Sequence, residues 1–224
     1  MPGFRIEGLI LDIDRHIEVI KEVAQKLAVY KDTPEASFIL KGGTALMLCY
    51  GLDRISIDID LDKDANSART LLDVLHAWCD EKGYQLRVAK NTETVQRAFI
   101  SYGDLGSPLK VEASYRKVDI PHEEVTNKEG ITVYTIDALC QMKASAFLAR
   151  DKIRDLYDLT YILSKYEDQL NDASKSIIRN ALEYKGIEQF DYLMASQDDE
   201  LIDKSILETR VLESYEKVGL LLPE

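Results

Sequence analysis

Three carboxylates have the types and spacing to do chemistry in this sequence. Asp58 and Asp60 stand two apart in ISIDIDL, a run that alternates between apolar and polar residues as a half-buried strand does. Residues two apart in a strand point to the same face, so these carboxylates project together. Glu112 lies between apolar neighbours in another strand-like run, LKVEAS. This oxygen ligand set suits a pair of hard divalent ions, Mg²⁺ or else Mn²⁺, with substrate phosphates completing the coordination.

A glycine pair, Gly42 and Gly43, lies between the apolar run SFIL at residues 37–40 and a helical stretch beginning at Thr44. A turn without side chains at the start of a helix leaves backbone N–H groups free for an anion such as a triphosphate. Each feature also has a purely structural explanation, since glycine pairs make ordinary turns and edge strands commonly carry solvated acids. Their conjunction, in this order and at these spacings, favours a nucleotide and metal site.

A second charged pattern lies in the helical stretch DALCQMKASAFLARDKIRDLYDLTYIL. Lys143 and Arg150 are seven apart and share one helix face, and Asp155 and Asp158, three apart, share a face of the next helix. The same pattern would also be found in a helical hairpin joined by surface ion pairs.

The elements that must position these residues fall into two groups. Strand-like runs and helices alternate up to about residue 125, and from residue 136 nearly every segment is helical. We therefore predict an α+β protein with two domains. Residues 1–125 form a mixed β-sheet with flanking helices, and residues 126–224 form a C-terminal helical bundle that completes the active-site cleft.

Composition and charge restrict the function classes. At 46% apolar and 30% charged, the chain has the composition of a globular protein. It shows no apolar run long enough to span a bilayer and no signal peptide, so we expect a cytoplasmic protein without a membrane partner. A net charge of −12 argues against general nucleic-acid binding, although a local basic cleft is compatible with it. The three cysteines and three histidines are interpreted as structural.

The glycine pair, the short helix and the Asp-x-Asp strand resemble the first motif of the DNA polymerase beta-like nucleotidyltransferase superfamily. The fuller string KGGTAL…R.S.DIDLD resembles the AbiEii/AbiGii toxin family within it. A lysine on one helix, followed by R/K-D-x-x-D-L at the start of the next, resembles the pattern after that family's catalytic strands. The resemblance covers about residues 38–165. Glu112 departs from it, because many superfamily members carry an aspartate there.

The resemblance implies a nucleotidyltransferase fold and a Mg²⁺-dependent transfer of a nucleoside monophosphate from a nucleoside triphosphate (NTP), with release of pyrophosphate. The residues with implied catalytic roles are Asp58, Asp60, Glu112, Lys143 and Asp155, of which the first three are metal ligands. The residues with implied nucleotide contacts are Gly42, Gly43, Thr44, Arg54, Ser56, Lys143 and Asp158.

The resemblance also implies an RNA acceptor, including tRNA ends, and a cognate antitoxin encoded by a neighbouring gene. A basic patch could contribute to RNA contact; it comprises Lys143, Arg150, Lys152 and Arg154. Two alternatives stay open: a small-molecule or protein acceptor, and a non-catalytic member of the fold whose acidic surface binds a basic antitoxin.

Overall fold

The computed structural model describes residues 4–6, 9–28, 38–63, 69–103, 107–117 and 119–221. The chain divides into two compact units. The sheet unit comprises Met1–Cys49 and Ser56–Tyr134, and the helical unit comprises Tyr50–Ile55 and Thr135–Glu224. We call Tyr50–Ile55 the connecting loop. This division assigns residues 126–134 to the sheet unit, whereas the sequence pattern alone grouped them with the helices.

Nine short strands are described in the sheet unit. A separate antiparallel pair comes first, β1 (Phe4–Ile6) with β2 (Leu9–Leu11). The other seven, in chain order, are β3 (Phe38–Lys41), β4 (Asp58–Lys63), β5 (Gln85–Asn91), β6 (Val95–Ser101), β7 (Leu109–Ser114), β8 (Val125–Lys128) and β9 (Ile131–Tyr134). They form one mixed sheet in the order β5-β6-β7-β4-β3-β9-β8. The pairs β4–β7 and β3–β9 run parallel, and the other neighbours run antiparallel.

Three helices accompany this sheet: α1 (Ile13–Ala28), α2 (Gly42–Tyr50) and α3 (Leu71–Lys82). Helices α1 and α3 contact the strands and each other. Ile59 and Leu61 of β4, with Val111 and Ala113 of β7, are at most 2% exposed. Because side chains alternate between the two faces of a strand, the intervening acids of β4 and β7 lie on the opposite face.

The helical unit contains α4 (Ile136–Ala149), α5 (Ile153–Tyr166), α6 (Asp172–Lys185), α7 (Ile187–Ser196) and α8 (Lys204–Lys217). Helix α4 packs against α5 and α6, and α5 also packs against α8. Every residue of α5 from Asp155 to Leu163 is buried, so this helix forms the centre of the unit. No described helix combines the length and the apolar character needed to cross a membrane.

The connecting loop is fixed within the helical unit at two points. Tyr161 and Tyr166 of α5 donate hydrogen bonds to the Tyr50 carbonyl at 2.7 and 2.6 Å. The Arg210 guanidinium of α8 contacts both carboxylate oxygens of Asp53, at 3.0 and 2.5 Å. The chain therefore passes from α2 through the helical unit immediately before it enters β4.

The predicted fold class is confirmed: a mixed sheet with flanking helices is followed by a helical C-terminal region. The predicted strand from Ile55 was wrong at its start, because β4 begins at Asp58. Ile55 belongs to the connecting loop, and the Ser56 N–H is directed to the Met47 sulfur at 3.3 Å and not to a neighbouring strand. Ser37, the predicted first residue of β3, lies outside the described residues.

Candidate active site

The three predicted metal ligands meet on one face of the sheet. Asp58 and Asp60 belong to β4, and Glu112 belongs to β7. In the parallel pairing of these strands, Asp60 is opposite Glu112 and Asp58 is opposite Lys110. Paired positions in neighbouring strands lie about 4.8 Å apart. Glu112 lies 52 positions after Asp60 in the sequence, yet the fold places the two on paired positions of neighbouring strands. Asp58 lies two residues from Asp60 on the same face of β4.

Two cations that were not singled out in the sequence pair with these acids. Lys110 Nζ lies 2.6 Å from Asp58 Oδ2, and Arg97 Nε of β6 pairs with Glu112 Oε2. Among the described residues, no three His, Cys, Asp or Glu side chains are close enough together to hold a metal ion. The spacing of Lys110 and Glu112, two apart in one strand, was a readable signal. The contact between Arg97 and Glu112 could not be predicted from the sequence, because it depends on the pairing of β6 with β7.

Asp60 has an environment that disfavours its charged form. Burial raises the pKa of the Asp60 carboxyl above its ordinary value, and the neighbouring Asp58 and Glu112 carboxylates raise it further. Lys110 and Lys41 oppose this shift without cancelling it. Asp60 is therefore an acid whose charged form is disfavoured mainly by burial, and a nearby cation would favour that form.

Gly42 brings the start of a helix against the same acids. Strand β3 ends at Lys41, and α2 begins at Gly42, whose φ is +77°. A Cβ atom at this position would lie 3.4 Å from Asp60 Oδ2. Glycine suits this site because L-residues are strained at such a φ and because any side chain would crowd the carboxylate. Gly43 follows as the second residue of α2.

Thr44 and Ser56 tie α2 to β4. Thr44 is 1% exposed. Its hydroxyl donates a hydrogen bond to the Asp58 carbonyl and lies 2.9 Å from Ser56 Oγ. Thr44 is thus engaged inside the protein, where it positions the backbone of Asp58. Ser56 is more exposed than Thr44 and is held beside it.

A third acid of β4, Asp62, is occupied by structural contacts. Its buried carboxylate pairs with Lys41 and accepts a hydrogen bond from the Tyr134 hydroxyl at 2.8 Å. Lys117 Nζ lies 3.7 Å from it. Burial, followed by the Asp62 carboxylate, raises the pKa of Tyr134 well above its ordinary range. Asp62 therefore fixes Lys41, the residue that precedes the glycine pair.

The remaining predicted residues form a charged cluster within the helical unit. Asp158 of α5 accepts hydrogen bonds from Arg54 Nε and Nη2 at 2.6 and 2.7 Å, and its other contact is Lys143 Nζ of α4 at 2.6 Å. The Asp158 side chain is 0% exposed and that of Arg54 is 4% exposed. Burial alone would raise the pKa of Asp158, but Lys143 and Arg54 together outweigh it and lower that pKa.

Asp155 extends this cluster. Arg150 contacts both of its carboxylate oxygens, at 2.6 and 3.0 Å, and Lys143 Nζ lies 3.6 Å from Asp155 Oδ1. The ion pairs of the simple helical-hairpin interpretation therefore exist, but their carboxylates are buried and not on the surface. Three cations, including Arg54, face two carboxylates, which leaves the cluster one positive charge in excess.

The structure thus gathers the predicted residues into two clusters, each within one unit. The sheet-unit cluster contains Gly42, Gly43, Thr44, Ser56, Asp58, Asp60 and Glu112. The helical-unit cluster contains Arg54, Lys143, Asp155 and Asp158. Of the basic patch suggested by the sequence, Arg150 is paired with Asp155, Arg154 is paired with Asp199, and Lys152 is exposed.

Comparison with known proteins places this geometry in a family. The family model described as nucleotidyl transferase AbiEii toxin, type IV toxin–antitoxin system, matches residues 27–219. The structure of JHP933 from Helicobacter pylori is similar, with a TM-score of 0.77, 28% identity, and coverage of 95% of this chain and 92% of that one. A second H. pylori structure, described as a candidate nucleotidyltransferase, gives a TM-score of 0.75, 28% identity and 95% coverage of both chains.

A more distant structure has the same fold. MenT4, the nucleotidyltransferase toxin Rv2826c of Mycobacterium tuberculosis H37Rv, superposes with a TM-score of 0.55 at 16% identity, covering 94% of this chain and 85% of that one. No curated protein matches the sequence significantly. The family model spans both charged clusters. The chain therefore belongs to the AbiEii family of nucleotidyltransferase toxins and is a nucleotidyltransferase.

Proposed function

We propose that this enzyme uses Mg²⁺, or Mn²⁺ in its place, to transfer a nucleoside monophosphate from an NTP to an RNA acceptor, including tRNA ends, as the toxin of a type IV toxin–antitoxin pair. One observation carries the proposal: Asp58, Asp60 and Glu112 share one sheet face beside the helix start at Gly42. The AbiEii family match supports the toxin role and a cognate antitoxin as partner.

The chemistry of the donor set suits a hard divalent ion, and the three acids would have to move closer together to hold one. Asp58, Asp60 and Glu112 offer only carboxylate oxygens, the ligands that Mg²⁺ prefers. Lys110 and Arg97 already neutralise two of the acids, so their side chains must exchange for the ion when it binds. The three acids would hold the ion, which when bound supplies positive charge to phosphate oxygens and lowers the pKa of an acceptor hydroxyl.

The start of α2 supports a phosphate site. The first turn of a helix has backbone N–H groups without partners inside the helix, and the helix dipole adds partial positive charge there. Gly42 and Gly43 have no side chains of their own to cover these groups, which favours the approach of phosphate oxygens. Ser56, held by Thr44 beside them, can donate a further hydrogen bond. Transfer by positioning and charge neutralisation requires no cysteine or histidine nucleophile.

For the helical-unit cluster we propose the roles that the family resemblance implies. Lys143 contacts the triphosphate, and Asp155 holds that lysine in place or completes the catalytic constellation. Arg54 and Asp158, proposed as nucleotide-binding residues, act through Lys143, because their charged groups are buried against each other and the lysine.

The test is transfer of label from each of the four NTPs to total RNA and to purified tRNA, with Mg²⁺, with Mn²⁺ and with a chelator. We expect labelled RNA from the wild type only when a metal ion is present. Asp58→Ala should reduce transfer by at least about 100-fold, beyond the effect of losing a residue that only supports a ligand. Glu18→Gln, which breaks an exposed ion pair with Arg15, is the matched control and should retain activity.

A growth assay completes this test. Expression of the wild type should arrest growth, and Asp58→Ala should relieve the arrest. The proposal fails if no RNA is labelled while Asp58→Ala matches the wild type in the growth assay. If a protein or a small molecule is labelled while RNA is not, that molecule is the acceptor in place of RNA.

A further inference from the structure

Two rows of side chains cross the acidic face of the sheet from β4 to the edge strand β5, each residue directly opposite the next. The first row is Asp60, Glu112, Arg97 and Lys90. The second row is Asp58, Lys110, Phe99 and Arg87. Opposed residues of neighbouring strands contact one another, so each row is a continuous track of side chains. Both tracks begin at the proposed metal ligands and become cationic or aromatic towards the edge.

This face is open where the tracks reach β5 and β6. The alternate residues of β6, Ala98 and Ile100, are fully buried on the side of α3. Arg87 and Lys90 are exposed, and the Arg97 side chain is 41% exposed. The cationic ends of both tracks are therefore accessible to a large ligand.

The charge of this face contrasts with that of the whole chain. The protein carries −12 overall, yet the four cations of the tracks, Arg87, Lys90, Arg97 and Lys110, share one face of three adjacent strands. Concentrated positive charge on an acidic protein attracts an anionic ligand locally while the remaining surface repels it. Arg97 and Lys110 are paired with acids, as are Arg150 and Arg154 of the basic patch suggested by the sequence. Arg87 and Lys90 distinguish this face, because both are exposed and neither forms an ion pair with a described residue.

Phe99 and Arg87 add a stacking surface to this charge. The Arg87 guanidinium lies over the Phe99 ring, 4.4 Å from its centroid. Single-stranded nucleic acids are bound by cationic grooves combined with aromatic rings or guanidinium planes on which bases stack. An acidic peptide has no bases to stack on such a platform.

The length of the tracks matches a few nucleotides. Three strand spacings of about 4.8 Å give about 14 Å from β4 to β5. A stacked strand carries one phosphate per about 3.4 Å, so about four phosphates fit along this distance. We propose that the face formed by Arg87, Lys90, Arg97 and Phe99 binds the single-stranded end of the RNA acceptor, with its terminal hydroxyl towards Asp58 and Asp60. This inference rests on the proposed RNA acceptor.

The test compares two double variants of the full chain that remove the same charge. Arg87→Gln with Lys90→Gln alters the tracks, whereas Lys26→Gln with Lys82→Gln alters exposed lysines of α1 and α3, each in an ion pair with a glutamate. The probe is a fluorescent single-stranded RNA of about 12 nucleotides, within the range of known single-strand sites. Anisotropy is measured across salt concentrations, and circular dichroism checks folding.

The track variant should bind the RNA about 25-fold more weakly at about 0.1 M salt, because each lost phosphate contact removes about 0.7 from the slope of log K against log salt. Its slope should fall by about 1.4. The lysine control should stay within about twofold, as expected for a site remote from the ligand. Phe99→Leu should weaken binding about fivefold or more through lost stacking.

Four outcomes would overturn the inference. Equal losses in the two double variants would show general electrostatic attraction. Binding of polyglutamate that competes with RNA and is lost in the same variant would assign the face to an acidic protein. If the wild type labels RNA from NTP and the track variant binds RNA normally, only the docking face fails. If the wild type labels no RNA, the proposed acceptor fails and this inference fails with it.

Discussion

Asp158→Asn should strongly destabilise the helical unit. Asp158 is fully buried and neutralises two cations, Arg54 and Lys143, through three contacts of 2.6 to 2.7 Å. Asparagine has nearly the same shape but no charge. Arg54 would therefore lose its carboxylate partner in the interior, and Lys143 would keep only Asp155, 3.6 Å away. Removing one partner of a buried ion pair costs about 3–5 kcal/mol. With a urea m-value of about 2 kcal/mol/M, the unfolding midpoint should fall by about 1.5–2.5 M.

Far-UV circular dichroism in a urea titration follows this unfolding, because the helical unit contributes five helices. The single tryptophan, Trp78, lies in α3 and reports on the sheet unit separately by fluorescence. Glu18→Gln is the control. The ion pair of Glu18 with Arg15 is exposed, so the free energy of unfolding should fall by less than about 1 kcal/mol.

The pH dependence gives a second check. The pKa of Asp158 in the folded protein is below its ordinary value of 3.8, so its stabilisation is present above that value and is lost as the pH falls through the folded pKa. The difference in unfolding midpoint between the wild type and Asp158→Asn should therefore become smaller in acid. A midpoint change below about 0.5 M urea, or a difference that stays constant into the acid range, would refute this reasoning.

Three further predictions follow from individual sites. Gly42→Ala should destabilise the protein by about 1–2 kcal/mol, because φ is +77° there, and should weaken NTP binding in calorimetry; wild-type affinity would contradict the phosphate site. Thr44→Val should cost about 1–3 kcal/mol in thermal unfolding, because it leaves the Asp58 carbonyl unsatisfied, and should lower the transfer rate; an unchanged rate would show that Thr44 does not position Asp58. A disulfide reagent at about pH 8 should label the native thiols only slowly and all three quickly after denaturation, since burial raises their pKa values; a rapidly labelled native thiol would contradict this. These pKa values are about 11 for Cys49, about 11 for Cys79 and about 12 for Cys140.

Much of the fold could be predicted from local sequence patterns, because strands and helices each produce a characteristic spacing of apolar residues. The alternation around Asp58 and Asp60 predicted a half-buried strand with both acids on one face, and the glycine pair predicted the start of α2. The helical character after residue 136 was likewise readable from apolar spacing. The placement of β8 and β9 in the sheet could not be predicted in this way, because β9 pairs with β3, which lies about 90 residues earlier in the chain.

The sequence by itself determined the chemical groups available at the site: carboxylates at Asp58, Asp60 and Glu112, and a helix that starts with a glycine at Gly42. It could also suggest the family, because that motif is local. Only the tertiary structure decided which charges meet. The pairing of Lys110 with Asp58, of Arg97 with Glu112 and of Arg54 with Asp158 depends on strand register and helix packing, which join residues far apart in the chain.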